Sequence, residues 1–276
     1  MALFIASLNS GSNGNCYYIG NQHEAVLIDA GISCRETEKR MKRLGLSMQK
    51  VKAIFISHEH SDHINGVTVL SKKYNVPVYI TPGTLQNSSL VLDEQRTFSF
   101  NAYEVVKIGQ IAVLAFPKFH DAAHPHSFII ESHGVKVGVL TDIGSACEHV
   151  ISQFRQCHAA FLEANYDEEL LEKGRYPYHL KRRIRGGHGH LSNSQALEIF
   201  INHRSANLSH LLLSHLSRDN NRPELVHELF SQHASGTEII VASRYEETAV
   251  YHISGLPVSE QQPVRVQAGQ MQFSLF

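Results

Sequence analysis

Four metal-binding side chains lie within the hexapeptide 58–63, His-Glu-His-Ser-Asp-His, directly after an apolar run. On an extended or turning backbone His58 and His60 project to the same side, because side chains alternate with a period of two. Two neighbouring imidazoles suit one cation, and Asp62 with His63 suits a second cation beside it. A polar loop that is merely rich in histidine is the alternative, but a pattern fixing four positions is rare by chance. The sequence therefore predicts a dinuclear metal site.

Short β-type runs and helices must position this hexapeptide. The early strands are separated by Gly, Asn and Ser turns, and the later ones alternate with helices. Ser33 with Glu36 predicts the start of a helix, and 126–131 pairs with 135–140 across the His133-Gly134 turn. Another helix is predicted to begin at Pro223. The predicted strands are 3–7, 16–19, 25–29, 53–57, 78–80, 105–107, 111–116, 126–131, 135–140, 159–162, 210–213, 238–242 and 248–253.

The composition indicates an ordinary soluble globular protein with a sizeable core. The net charge of −1 means that nucleic-acid binding would depend on a local basic patch. The 19 histidines fit metal chemistry, and the four cysteines show no Cys-x-x-Cys spacing, which fits a reducing compartment. Neither a signal peptide nor an apolar stretch long enough to span a membrane is present. We therefore expect a cytoplasmic protein without membrane contact.

The hexapeptide and its preceding strand resemble the hallmark of the metallo-β-lactamase superfamily. The resemblance implies an α/β fold, the four-layer αβ/βα sandwich, over residues 1–254. His120, Asp142 and His215 each follow an apolar strand and look like the remaining ligands of that family. The resemblance assigns one ion to His58, His60, His120 and Asp142, and the other to Asp62, His63, Asp142 and His215. A lone loop histidine or aspartate is more often structural, but the order and strand contexts favour ligands.

Three further residues resemble parts of the family's catalytic machinery. Asp29 ends the run 25–29 and looks like an aspartate that accepts the free N–H of a ligand imidazole; an Asp that opens a turn is the alternative. Glu163 and His190 look like the Glu–His pair of ribonuclease Z-like phosphodiesterases. That resemblance places His190 on the scissile phosphate or leaving oxygen, oriented by Glu163. The alternative is a strand-end acid and a histidine that precedes a helix cap.

Two segments could contact a substrate. The stretch 175–185 combines basic residues with tyrosines, and Lys181, Arg182, Arg185 and Tyr176 are its candidates for phosphate neutralisation and base stacking. A solvated helix face is the alternative. The loop 9–15 offers backbone N–H groups and polar side chains to an anion, although it could equally be only a turn. Its candidate residues are Ser10, Ser12 and Asn13.

The motifs together resemble the bacterial YycJ/WalJ-like group of metallo-β-lactamase-fold proteins over roughly residues 3–253. This resemblance implies a metal-dependent phosphodiesterase that digests duplex DNA from 5′ to 3′ with zinc or manganese, in repair or replication. Its catalytic residues would be Asp62, Glu163 and His190, with a hydroxide between the two ions as the nucleophile. A thioesterase of the glyoxalase II kind and a regulatory binding module without turnover are the rival hypotheses, and RNA remains open as a substrate.

Residues 255–276 lose hydrophobic periodicity and are predicted to form a flexible tail. The final pentapeptide, Gln-Phe-Ser-Leu-Phe, resembles the motif that binds the bacterial sliding clamp. In that interpretation the amide of Gln272 pairs with backbone groups, while Leu275 and Phe276 fill an apolar pocket. A tail that folds back onto the domain as an edge strand is the alternative.

Overall fold

Fourteen strands and nine helices make up residues 2–255, the part of the chain that the computed structural model describes. The strands are β1 (Ala2–Asn9), β2 (Cys16–Gly20), β3 (Ala25–Ile28), β4 (Val51–Phe55), β5 (Val78–Tyr79), β6 (Thr97–Phe98), β7 (Val105–Ile108), β8 (Ile111–Pro117), β9 (His126–Ser132), β10 (Val135–Leu140), β11 (Ala159–Glu163), β12 (His210–Ser214), β13 (Glu238–Val241) and β14 (Tyr251–Ser254). The helices are α1 (Cys34–Arg43), α2 (Ser61–Ile64), α3 (Val67–Tyr74), α4 (Pro82–Gln86), α5 (Glu148–Phe154), α6 (Glu168–Lys173), α7 (Tyr178–Ile184), α8 (Asn193–His203) and α9 (Pro223–Ser231).

The strands form two seven-stranded mixed sheets. The first has the order β14-β1-β2-β3-β4-β5-β6, and the second has the order β13-β12-β11-β10-β9-β8-β7. Strands β3 to β6 are mutually parallel, as are β10 to β13, so the carboxyl ends of each set lie along one sheet edge. Such edges collect the loops that carry functional side chains in α/β proteins.

Three apolar layers hold the sandwich together. Between the sheets, Tyr17 of β2 packs on Phe161 of β11, with ring centroids 4.8 Å apart. The outer face of the first sheet packs against α1 and α3, and the outer face of the second packs against α5, α8 and α9. Burying both faces of both sheets accounts for the apolar runs in the central strands. The predicted four-layer α/β sandwich is confirmed.

Most predicted elements form, with shifted ends. The side chain of Ser33 accepts the Glu36 N–H at the start of α1, and α9 begins at Pro223. Strands β9 and β10 pair across the His133-Gly134 turn. The strand predicted over 53–57 instead runs from Val51 to Phe55, because the Ser57 N–H leaves the sheet to donate to Asp29. Strand β14 starts at Tyr251 rather than 248, since Thr248 bonds to Ser7 of β1 through its backbone and hydroxyl.

Two expectations drawn from composition can be compared with residues 2–255. All four cysteines lie in this part of the chain, and each is a free thiol. No helix within it has the length and hydrophobicity needed to cross a membrane. The predicted tail, with Gln272, Leu275 and Phe276, falls outside the described residues apart from Gly255.

Candidate metal centre and catalytic site

The candidate ligands occupy turns that directly follow strands, and three of these turns have unusual backbone geometry. Asp29 after β3, Asp142 after β10 and His215 after β12 have φ angles of 59°, 55° and 56°. Non-glycine residues seldom adopt this left-handed conformation, which concentrates at functional sites. Each strand therefore ends in a sharp turn that redirects one polar side chain.

The hexapeptide 58–63 fits against β3 because glycine is present at position 31. A Cβ atom at Gly31 would lie 1.7 Å from the carbonyl oxygen of Asp62, so a side chain there would displace the turn. The Ala30 N–H also donates to the His63 carbonyl at 2.9 Å. These contacts hold the start of α2, and with it Asp62 and His63, against the end of β3.

One group of imidazoles comprises His58, His60 and His120. Each offers a ring nitrogen within 4.8 Å of the other two. The Nε2 of His58 is 3.0 Å from the Nδ1 of His60, and the Nε2 of His120 is 3.3 Å from the same atom. Burial holds the pKa of His58 well below its usual value and lowers that of His120 to about 3. Neutral imidazole is the form that binds metal ions, so this group suits a cation.

A second group comprises Asp62, His63 and His215. The Oδ2 atom of Asp62 lies 3.5 Å from the Nε2 of His63 and 3.4 Å from the Nε2 of His215. Burial opposes a positive charge on His215. The negative charge of Asp142 and the hydrogen bond to Asp62 outweigh this effect and raise the pKa of His215 to about 10. Burial likewise opposes ionisation of Asp62, yet the charge of His63 and the bond to His215 lower its pKa to about 2. A divalent cation would compete with these protons for the same lone pairs.

Asp142 lies between the two groups. Its Oδ2 is 3.3 Å from the Nε2 of His63, and its Oδ1 is 3.5 Å from the Nε2 of His215 and 3.9 Å from that of His120. The residue is 1% exposed, and its Oδ2 has no hydrogen-bond partner among residues 2–255. Buried polar atoms are rarely left without a partner. A carboxylate oxygen in this position, faced by imidazoles, fits a bound divalent cation.

Two of these imidazoles, His63 and His120, are oriented by oxygen atoms that contact their Nδ1 atoms. The Oδ2 of Asp29 lies 2.7 Å from the Nδ1 of His63, and both of its oxygens also accept from Ser57. The Nδ1 of His120 lies 3.0 Å from the carbonyl oxygen of Gly189. A proton on each Nδ1 leaves Nε2 with its lone pair toward the centre of the site, as metal ligation requires.

Glu163 and His190, which are 27 residues apart in sequence, are in direct contact. The Oε1 of Glu163 is 2.7 Å from the Nδ1 of His190 and 3.2 Å from the Nδ1 of His215, and its Oε2 accepts the N–H groups of Ile143 and Leu191. Burial opposes ionisation of Glu163, but the charge and hydrogen bond of His190 lower its pKa to about 2. When the Nδ1–H of His190 donates a hydrogen bond to Glu163, the other ring nitrogen, Nε2, remains available to contact a substrate. Ser192 does cap α8, so the histidine precedes a helix cap and contacts Glu163 as well.

The predicted substrate residues of loop 9–15 divide into two groups. Ser10 is buried, and its hydroxyl bonds to Tyr17 and accepts the His215 N–H at 2.8 Å. The Ser10 hydroxyl thus supports the His215 turn, and its contact with substrate stays a prediction. Ser12 and Asn13 are exposed, and both bond to Arg244.

The basic stretch forms α7 and the segment before it. The Tyr176 ring packs against a small apolar cluster and its hydroxyl donates to Asp219. Its stacking on a base stays a prediction. Lys181 and Arg185 both bond to Glu172, whereas Arg182 is exposed. The sequence interpretation did not single out Arg183, whose Nε lies 2.5 Å from the Oδ2 of Asp121, the neighbour of His120.

Asn15 and Lys118 also belong to the site although sequence reasoning missed them. The Oδ1 of Asn15 accepts from the Gly11 N–H and the Tyr17 hydroxyl, which turns its Nδ2 toward the Asp62 Oδ2 at 3.1 Å. Lys118 is buried and donates to the Thr141 carbonyl at 2.7 Å. Asn15 lies within loop 9–15, and Lys118 lies two residues before His120, but neither position indicates where the side chain points.

Comparison with known proteins agrees with this geometry. The chain matches the β-lactamase superfamily domain over residues 24–216. Exodeoxyribonuclease YycJ of Bacillus anthracis is 36% identical over 235 residues, which cover 84% of this chain and 89% of that protein. Exodeoxyribonuclease WalJ of Streptococcus pneumoniae is 32% identical over 225 residues, which cover 80% and 84%. The structure of the metallo-β-lactamase fold protein YhfI from Bacillus subtilis superposes with a TM-score of 0.72 at 14% identity, covering 91% of this chain and 100% of that one. The chain belongs to the β-lactamase superfamily and is a metal-dependent hydrolase with the metallo-β-lactamase fold.

Proposed function

We propose that this protein is a DNA exonuclease that hydrolyses phosphodiester bonds from the 5′ end with two divalent cations. The contact between Glu163 and His190 carries the proposal, because it puts a proton-transfer pair beside the metal centre. The His190 Nδ1 is 4.0 Å from the Oδ1 of Asp142. The similarity to two proteins named exodeoxyribonucleases supports DNA as the substrate.

The proposed ligands follow from the two groups of side chains. His58, His60 and His120 would hold one ion, Asp62, His63 and His215 the other, and Asp142 would contact both. Imidazole and carboxylate donors suit zinc or manganese. When bound, such ions stabilise negative charge on the phosphate and make water more acidic.

Residues of the chain itself would supply the proton, orient the metal ligands and contact the DNA. His190, oriented by Glu163, would donate a proton from Nε2 to the leaving oxygen. Asn15 would fix the Asp62 carboxylate, and Asp29 would fix the His63 ring. Ser12, Asn13 and the exposed Arg182 are the candidates for contact with the DNA backbone.

The decisive assay uses purified full-length protein with zinc, manganese or magnesium on 5′- or 3′-labelled single- and double-stranded DNA and RNA. Duplex DNA should release its 5′ label as short products while the 3′ label persists in longer ones. The isosteric Asp142→Asn variant is the matched inactive control. Cleavage of RNA alone would reassign the substrate. Hydrolysis of a thioester alone would favour a thioesterase, and metal binding without turnover would favour a binding module.

The chain end suggests a partner for this activity. We propose that Gln272, Leu275 and Phe276 bind the bacterial sliding clamp, which would place the nuclease in cytoplasmic DNA repair or replication. The support is the pentapeptide sequence alone. Short linear motifs of this kind bind weakly, because ordering the peptide offsets part of the contact energy.

A further inference from the structure

An exposed aromatic ring directly precedes the candidate ligand His120. Phe119 follows the buried Lys118 and precedes the candidate ligand His120, yet 48% of its surface is exposed. Its ring centroid is 5.6 Å from that of His188, with an angle of 69° between the rings. His188 is exposed as well and lies two residues before His190. Two aromatic rings thus face solvent beside residues that the proposed chemistry requires.

Hydrogen bonds and close packing connect the loop of Phe119 with the loop of His188. The carbonyl oxygen of Phe119 accepts the Gly144 N–H at 2.6 Å. Gly144 also approaches the second loop closely, since a Cβ atom there would lie 2.4 Å from the carbonyl oxygen of Gly187. The His120 ring completes the connection through the carbonyl of Gly189 at 3.0 Å. The aromatic pair is therefore held at a fixed distance from the metal centre.

An ion pair joins the loop of Phe119 to the basic helix α7. Arg183 contacts Asp121, two residues after Phe119, and the neighbouring Arg182 is exposed. An aromatic face next to guanidinium groups matches a nucleotide, whose base stacks while its phosphate meets the cations.

We propose that the Phe119 ring, packed edge to face with His188, forms a stacking platform for a nucleobase next to the scissile phosphate. The proposal rests on the proposed nuclease function and names the part of the substrate that the site reads beyond its backbone. Stacking on an aromatic ring accepts every base, because each has a π-face. The platform would therefore position the nucleotide without selecting its sequence.

The test measures the dependence of binding and cleavage on that base. Wild type, Phe119→Ala, Phe119→Trp and the control Phe98→Ala are given oligonucleotides with a normal or an abasic residue on either side of the target phosphodiester. Phe98 is a matched control because it is 45% exposed on the edge strand β6. Dissociation constants are measured in EDTA and kcat/KM with metal, after melting curves and metal content confirm that each variant is folded and loaded.

Phe119→Ala should weaken binding of normal DNA by about 5- to 100-fold, the scale of one base–aromatic contact. It should have little effect on the oligonucleotide that is abasic at the stacked position. Phe119→Trp should restore binding, and Phe98→Ala should match wild type. Equal effects of Phe119→Ala on normal and abasic DNA would overturn the platform. Absence of metal-dependent cleavage by wild type would instead refute the nuclease proposal. The role of Phe119 would still be decided by comparing the dissociation constants for normal and abasic DNA in EDTA.

Discussion

Replacement of His190 by alanine separates proton transfer from metal binding. Removal of the imidazole leaves the buried Glu163 carboxylate with three partners, the N–H groups of Ile143 and Leu191 and the ring of His215. The His190 side chain is 18% exposed, so its loss opens a space that water can reach. The folded state should lose at most one hydrogen bond to a charged group, about 1.5–3 kcal/mol. All seven proposed ligands remain in place.

The expected catalytic loss is much larger than this structural one. General acid–base groups contribute about 100- to 10,000-fold, which corresponds to roughly 3–5 kcal/mol of activation free energy. The loss should depend on the leaving group. A deoxyribose oxygen needs a proton as it departs, whereas p-nitrophenolate departs as a stable anion. His190→Ala should therefore slow DNA hydrolysis at least about 100-fold and slow bis-p-nitrophenyl phosphate hydrolysis by less than about 10-fold.

The assay combines single-turnover kinetics on both substrates with metal analysis of the same protein samples. His227→Ala, which removes an exposed histidine on α9, is the control and should behave like wild type. Equal losses on the two substrates with full metal content would refute proton donation and indicate that His190 contacts the phosphate. Metal loss in proportion to activity would show that His190 is a ligand or a structural support.

Four other outcomes are expected. His58→Ala, Asp62→Ala and Asp142→Ala should each abolish hydrolysis and lower the metal content measured by mass spectrometry, and full activity in Asp142→Ala would contradict its proposed position between the ions. Burial raises the pKa of the Cys157 thiol to about 12, so iodoacetamide at pH 8 should leave it unmodified in native protein but label it in urea. Burial lowers the pKa of His126 to about 4. The unfolded chain therefore binds more protons below pH 6.5, and stability is lost as the pH falls. His126→Phe should reduce that acid-dependent loss in urea unfolding by at most about 3 kcal/mol, and an unchanged pH profile would contradict it. Deletion of residues 272–276 should leave digestion of short naked DNA intact but abolish capture by immobilised sliding clamp, and equal capture of both forms would exclude the motif.

The sequence alone determined the features that depend on neighbouring residues. Alternating and continuous apolar runs predicted the central strands, because a strand between two packed layers must be apolar on both faces. Ser33 and Ser192 mark helix starts through bonds to backbone groups only three residues away. The hexapeptide 58–63 predicted metal chemistry because four metal-binding side chains lie within six consecutive residues.

Tertiary structure decided which side chains meet and which way they point. Ser10 lies 205 residues from His215, and Asn15 lies 47 residues from Asp62, so no local pattern indicates that one supports a turn and the other orients a carboxylate. The left-handed turns at Asp29, Asp142 and His215 are likewise stable only where surrounding contacts offset their strain. Those contacts exist once the two sheets have packed and brought the ends of β3, β10 and β12 together. A strand-end position can be read from the sequence, but the direction of a side chain is set by packing across the whole fold.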